Sequence, residues 1–244
     1  MLLEQIMNNS APLPFPAAAL HEIYAGRNDD GAALSGLGLA SATMADTVRP
    51  LLWVRQGMFD REVGIPCSTG LEAHGLAPAR LVLIRTRDTL AAIQAGLEGA
   101  RTPGLAAVMI ELWGEGKIYD LTASRRLALA ARASGAMVLV LRTAARPVPS
   151  AADTRWQVRA IPSRALAANA PGLPAFQITL LRARNGQEGL RYCLEWDRDA
   201  RKLVSRSFPT GDALPRPAPL SGAPVSLPFN RQGAPAFPTR RRAG

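Results

Sequence analysis

Cysteine and histidine are scarce in this chain of 244 residues, with two of each: Cys67 and Cys193, His21 and His74. The cysteines stand far apart and form no C-x-x-C pair, which argues against a disulfide framework and against a zinc site. The histidines are isolated as well. No Ser/His/Asp, Cys/His or paired-carboxylate arrangement stands at a recognisable spacing, so the sequence predicts no catalytic residues, no cofactor and no metal. Long apolar runs are also missing, because charges or prolines interrupt every stretch of about twenty residues, the length a membrane span needs. Glu4, Pro12, Pro14 and Pro16 break up the N-terminus where a secretory signal would be apolar, so the expected location is the cytoplasm, away from membranes. Acidic residues are the remaining shortage. Against 29 Lys and Arg there are 19 Asp and Glu, a net charge of +10, which points to an acidic partner such as nucleic acid or an acidic protein surface.

What is present is enough to fold: 48% of the residues are hydrophobic, sufficient for one large domain and a tail. Residues 1–19 read as a lead-in ending in a Pro/Ala segment, and Leu20 to Tyr24 begin a sheet. Gly26 and Gly31 follow at the G-x-x-x-x-G spacing of a phosphate-binding loop, and a helix of small and apolar residues runs from Gly31 to Ala45. The two positions after the second glycine should be Lys and Ser/Thr, which neutralise the terminal phosphates and ligate magnesium. They are Ala32 and Ala33. Asp29 and Asp30 add two carboxylates where phosphates would sit, a repulsive arrangement for a nucleotide and a suitable one for capping the helix.

The rest of the first half alternates. Pro50 to Val54, Arg80 to Arg85, Leu105 to Ile110 and Met137 to Leu141 read as strands, the most apolar of them buried on both faces. Helices are predicted after Asp88 or Thr89, with Leu90, Ile93 and Leu97 apolar, and from Leu121 to Ser134 with Gly135 as the stop. Arg55 to Glu72 reads as loop. Single helices between strands imply a parallel sheet. After Arg142 the pattern changes to a polar loop, Thr143 to Asp153, and then to three strand-like pieces, Thr154 to Ile161, Ala175 to Arg184 and Leu190 to Trp196. The last two flank Asn185-Gly186, a hairpin signal. The expected fold is therefore α/β, a mostly parallel sheet flanked by helices with an antiparallel, β-rich C-terminal edge. Residues 205–244 hold eight prolines, six arginines and one acid, Asp212. That composition predicts disorder, and the segment ends in Arg240, Arg241 and Arg242, a candidate contact for a partner.

Over about residues 18 to 200 the order of elements resembles the RecA core, and within it the chain resembles the ImuA family. The stretches that carry the likeness are Leu20-His21-Glu22-Ile23-Tyr24, Gly75-Leu76-Ala77-Pro78-Ala79-Arg80, Glu111-Leu112-Trp113-Gly114 and Asp120 to Leu127, with Ser150 to Trp156 and Glu195-Trp196-Asp197. ImuA proteins are RecA-like accessory proteins of the bacterial inducible mutagenesis cassette. The resemblance implies SOS-induced translesion DNA synthesis with two partners: ImuB, an inactive relative of Y-family polymerases, and an error-prone C-family polymerase. RecA is a further candidate partner, and so is DNA. It implies a RecA-like domain over residues 20–204 with a degenerate phosphate loop (Gly26, Gly31, Ala32, Ala33). The RecA catalytic Glu falls near Gln56, which cannot act as a base, and the Walker B carboxylate falls on Glu111. Of the two DNA-binding loops, the first would lie between Gly114 and Asp120 and is very short. The second corresponds to Arg142 through Asp153, where Arg142 and Arg146 are the candidate phosphate contacts. Two other functions share this pattern: a cell-division inhibitor like SulA, which also lacks a phosphate loop, and an active DNA-dependent RecA-type ATPase.

Overall fold

The computed structural model describes residues 15–207, apart from 116 and 171. The expected partner contact Arg240–Arg242 lies outside the described residues, as do residues 1–14 of the lead-in. Within the described part, the strands are β1 (Leu20–Ala25), β2 (Leu51–Gln56), β3 (Leu81–Thr86), β4 (Ala107–Trp113), β5 (Met137–Thr143), β6 (Thr154–Ala160), β7 (Ala175–Ala183), β8 (Arg191–Asp197) and β9 (Lys202–Arg206). The α-helices are α1 (Gly31–Ala45), α2 (Met58–Glu62), α3 (Ser68–Ala73), α4 (Thr89–Arg101) and α5 (Leu121–Ser134).

All the strands join one sheet in the order β3-β2-β4-β5-β1-β6-β7-β8-β9. β3 through β6 in that order are mutually parallel, and β7, β8 and β9 are antiparallel. The parallel strands β2, β4 and β5 are buried along essentially their whole length, as continuous apolar runs require when helices cover both faces. One face carries α1 and the other α4 and α5. Asp88 and Asp120 accept from the amides of Ala91 and Ala123, each at 2.8 Å, and so cap α4 and α5. Gly135 closes α5 in the left-handed region at φ 77°.

α1 is the centre of the molecule. It packs on β1, β4, β5 and β6, and the antiparallel strands curl over it so that β7 and β9 touch it too. A helix enclosed on most sides has little solvent face to make polar, which is why its sequence is mostly small and apolar. A Cβ on Gly38 would stand 3.0 Å from Leu141 Cδ1 and 3.1 Å from Met109 Cε, so glycine lets the helix settle this closely on β4 and β5 without moving those side chains.

Four expectations need correction. Arg55 to Glu72 contains α2 and α3; with only five and six residues they are too short to show a helical period. β6, expected to open the antiparallel edge, pairs parallel with β1, and the change of direction comes one strand later. β9 was not predicted and runs past the expected boundary at residue 204, with Ser205 and Arg206 paired to Leu194 and Cys193. Asp29 and Asp30 do not cap α1. The chain enters the helix through a 3-10 turn, Asn28–Asp30, so Asp30 lacks the extended backbone that aims a capping side chain at the helix amides. Its Oδ1 accepts instead from the Ala160 amide at 2.9 Å, and Asp29 pairs with Arg27 at 3.0 Å.

Candidate functional site

The glycine turn after β1 sits at the C-terminal edge of the parallel strands, where open α/β sheets place their ligands. Both of its glycines answer to packing. A Cβ on Gly26 would fall 2.4 Å from Arg159 Cγ, because the Gly26 amide donates to Val158 O at 2.7 Å and draws β6 close. A Cβ on Gly31 would fall 2.7 Å from Val63 Cγ2. Ala32 and Ala33 follow Gly31 in the first turn of α1, so the helix N-terminus carries neither a cationic head nor a hydroxyl at these two positions.

Beside this turn lies a buried ion pair. Arg55 of β2 and Glu111 of β4 are directly opposite in the parallel register and both lie in the interior, 1% and 0% exposed. Arg55 Nε donates to Glu111 Oε2, and the Ser35 hydroxyl of α1 lies between Glu111 Oε1 and the Gly31 carbonyl, 3.1 Å from the latter. The other side of the guanidinium donates to Asp60 Oδ1 at 3.1 Å and to Gly64 O at 3.0 Å. Asp60 is held in turn by Arg85 at 2.7 Å. Burial pushes the Glu111 carboxyl upward, and the Arg55 charge and the Ser35 hydroxyl oppose that push. Trp53 Nε1 is turned toward the same carboxylate but falls outside hydrogen-bonding geometry. Glu111, expected as a Walker B carboxylate, thus lies near the C-terminal end of β4 and is paired with an internal cation.

Gln56, at the position of the catalytic Glu, is used structurally. Its Nε2 donates to Thr89 Oγ1 at 2.9 Å and its Oε1 accepts from the Trp113 amide at 2.7 Å, joining β2 to α4 and β4.

The opposite face of the sheet holds a second buried charge pair. Glu22 of β1 is opposite Arg155 of β6 in register, and Arg155 Nε donates to Glu22 Oε2 at 2.8 Å. Tyr119 and Tyr24 donate their hydroxyls to the same carboxylate at 2.7 and 3.4 Å. Burial, reinforced by the Glu22 charge, pushes the Tyr24 phenol up to about 12 and Tyr119 well above its usual value. Arg142 is part of this cluster. Its guanidinium lies 5.0 Å from the Tyr119 ring centre and 5.8 Å from that of Tyr24, and Nη2 donates to Gly114 O at 3.0 Å. At 3% exposure it is an interior residue with no face toward a phosphate backbone. Arg146 is exposed and stands 3.5 Å from Glu115.

The stretch expected as the second DNA-binding loop is largely fastened down. Leading from the end of β5 to the start of β6, it crosses beside α5: the Ala151 amide donates to Ser124 Oγ at 3.0 Å, and Arg132 pairs with Asp153 at 2.9 Å. Asp153 N donates to Leu20 O at 2.8 Å, which fixes the start of β6 beside β1.

No protein-family model matches the chain. Protein ImuA of Caulobacter vibrioides, in strains NA1000 and CB 15, is 28% identical to it over 176 residues, covering 64% of this chain and 70% of the relative. The chain resembles ImuA. Among solved structures, the crystal structure of the RadB recombinase matches with a TM-score of 0.54 and 16% sequence identity, covering 82% of this chain and 94% of that chain. At that identity the likeness speaks for the fold alone, which is RecA-like.

Against a RecA-like frame and an ImuA-like sequence, the residues do not fit a magnesium nucleotide. The lysine and hydroxyl positions are alanines, and the remaining carboxylate is neutralised by Arg55. Among the described residues no group of three or more His, Cys, Asp or Glu is placed to hold a metal ion. Sequence reasoning missed Arg55, Ser35, Glu22 and Arg155. Only Arg55 carried a signal, a charge inside an otherwise apolar strand at the same offset as Glu111 in β4.

Proposed function

We propose that this chain is a non-catalytic, RecA-like accessory protein of the ImuA kind, which scaffolds an ImuB-like partner and an error-prone polymerase during SOS-induced translesion synthesis and mutagenesis. The observation that carries the reading is the Arg55–Glu111 pair: the one acidic group inherited at the Walker B position is spent on an internal cation. Transferring a phosphoryl group needs that charge on a metal, a lysine on the phosphates and a hydroxyl on the metal, together worth several kcal/mol of transition-state stabilisation. None of the three is supplied here. The likeness to ImuA supports the partner assignment, and the net charge of +10 suits a chain that works beside nucleic acid and acidic protein surfaces.

In this reading residues 20–206 are the platform, and the Pro/Arg-rich stretch that follows is a second contact for partners. The test is co-purification of the full chain, and of a version ending at Ser207, with an ImuB-like protein and with RecA, in salt high enough to suppress non-specific pairing. Association of the full chain with the ImuB-like protein is the expected result. Its absence, with filamentation of cells on overexpression, would replace the reading with a division inhibitor. DNA-stimulated phosphate release by the pure protein would overturn the non-catalytic assignment.

A further inference from the structure

α5 lays its apolar side on β1 and β5, and its solvent side departs twice from what a surface helix needs. The first departure is in charge. The helix holds Arg125, Arg126 and Arg132 and no acidic residue. Arg132 is paired with Asp153, but among the described residues Arg125 and Arg126 enter no salt bridge. The second is in polarity. Ser124, Leu127, Ala128 and Ala131 face the core, and at 3.6 residues per turn the position opposite them is Leu129, which is 65% exposed. The most solvated point of the helix, where a polar side chain belongs, is therefore a leucine. One turn earlier, Arg125 and Arg126 stand on either side of it. Leu121, 41% exposed, completes the row Leu121, Arg125, Leu129 at intervals of four residues, about 6 Å each. Ile118 and Val148 add exposed apolar surface near the start of the helix, where the crossover carrying Val148 is fastened to α5 through Ala151 and Ser124. Four of the ten exposed large apolar side chains among the described residues thus belong to α5 or adjoin it. Exposed leucines scattered singly need no explanation, whereas a cluster framed by cations without carboxylate partners does.

We infer that the outer face of α5 is a docking surface for an acidic, amphipathic helix of a partner protein. A row at four-residue intervals is a ridge of the kind that packs between the ridges of a second helix. Leucines of that helix cover Leu121 and Leu129, and its glutamates stand beside Arg125 and Arg126, whose aliphatic stems extend the apolar surface between the two leucines. The leucine at the centre separates this face from one built for nucleic acid. A phosphate backbone laid over the arginines gains nothing from Leu129, whereas a partner helix removes it from water. The inference gives the proposed platform one of its contact surfaces and rests on that reading only for the identity of the partner. It is tested with a synthetic helix, so its failure is a separate result from a failure to associate with an ImuB-like protein.

The probe is a stapled helical peptide with leucines at i, i+4 and i+8 and glutamates flanking them, titrated into the full chain labelled with ¹³C at its leucine methyls. The Leu121 and Leu129 methyl signals are expected to shift, while that of Leu34, buried in α1, stays in place. Arg125→Glu combined with Arg126→Glu is expected to weaken the peptide at least about tenfold, and Leu129→Gln about tenfold. All three positions are exposed, so these variants should keep the native melting temperature. A peptide with lysines in place of the glutamates should bind the charge-reversed variant and not the native chain. Leu121 and Leu129 signals unmoved by the acidic peptide, or equal binding to the native and charge-reversed chains, would overturn the inference. Duplex DNA that displaces the peptide and binds Leu129→Gln as well as the native chain would also overturn it, making the face a phosphate contact instead.

Discussion

Replacing Arg55 by Ala is the sharpest probe of the interior. Arg55 and Glu111 are 1% and 0% exposed, so removing the guanidinium leaves a carboxylate in the core with only the Ser35 hydroxyl to answer it. Breaking a buried pair from one side costs about 3–5 kcal/mol, because the survivor keeps its desolvation penalty and loses its attraction. The variant also loses the bonds to Asp60 and Gly64 O and the packing of the guanidinium 5.1 Å from the Trp53 ring centre, so the upper half of that range is expected. For a domain of this size about 2–4 °C accompany each kcal/mol. The melting temperature should therefore fall by roughly 8–20 °C. Arg55→Met combined with Glu111→Leu removes both charges at once, and it should be less destabilising than Arg55→Ala alone. Urea unfolding at neutral pH, followed by circular dichroism on the full chain, measures all three proteins. A loss below about 1 kcal/mol in Arg55→Ala, or a double variant at least as unstable as Arg55→Ala, would refute the argument.

Acid should weaken the fold through its histidines. His21 and His74 both titrate below their ordinary 6.5 because burial disfavours the charged ring. The unfolded chain therefore binds protons first, and stability that is complete above 6.5 is lost as the pH falls through that value toward the lower folded ones. His21→Gln should flatten the fall in melting temperature between about pH 7 and pH 5; an unchanged slope would count against it. The three tyrosines, Tyr24, Tyr119 and Tyr192, are all raised, Tyr24 to about 12. An alkaline absorbance titration of the folded chain should accordingly show little phenolate at pH 10, and ordinary titration there would contradict the buried cluster around Glu22. Gly96→Ala and Gly99→Ala should each lower the melting temperature by a few degrees, although Ala is the better helix former by about 1 kcal/mol. The added Cβ would stand 2.2 Å from Ile110 Cδ1 in one and 2.1 Å from Leu52 Cδ2 in the other, and overpacking outweighs the propensity gain.

The fold was legible where local physics decides it. Leu51 to Val54, Ala107 to Ile110 and Met137 to Leu141 are apolar without alternation, which specifies strands covered on both faces, and Asp88 and Gly135 mark helix ends by capping chemistry alone. Strand direction was not legible from composition. β6 looks like its antiparallel successors along the chain, and only the crossover tied to Ser124 and Leu20 lays it parallel to β1. β9 is five residues long, with Ser205 and the cations Lys202 and Arg206 among them, and its identity as a strand comes from pairing with β8.

Of the site, the sequence shows Ala32 and Ala33 after the second glycine of the turn, and no more. Which side chains meet beside that turn depends on which strands become neighbours. Arg55 and Glu111 each occupy the fifth position of their strands, and Glu22 and Arg155 are separated by more than 130 residues, yet each pair meets side by side once the sheet order is set. A lone charge in a buried strand is too costly to keep unpaired. Two such charges of opposite sign, at equal depth in different strands, therefore argue that those strands are adjacent. Applied to Arg55 in LLWVRQ and Glu111 in AVMIELW, that rule argues for β2 beside β4, and the buried pair then fixes the register of the sheet beneath the glycine turn.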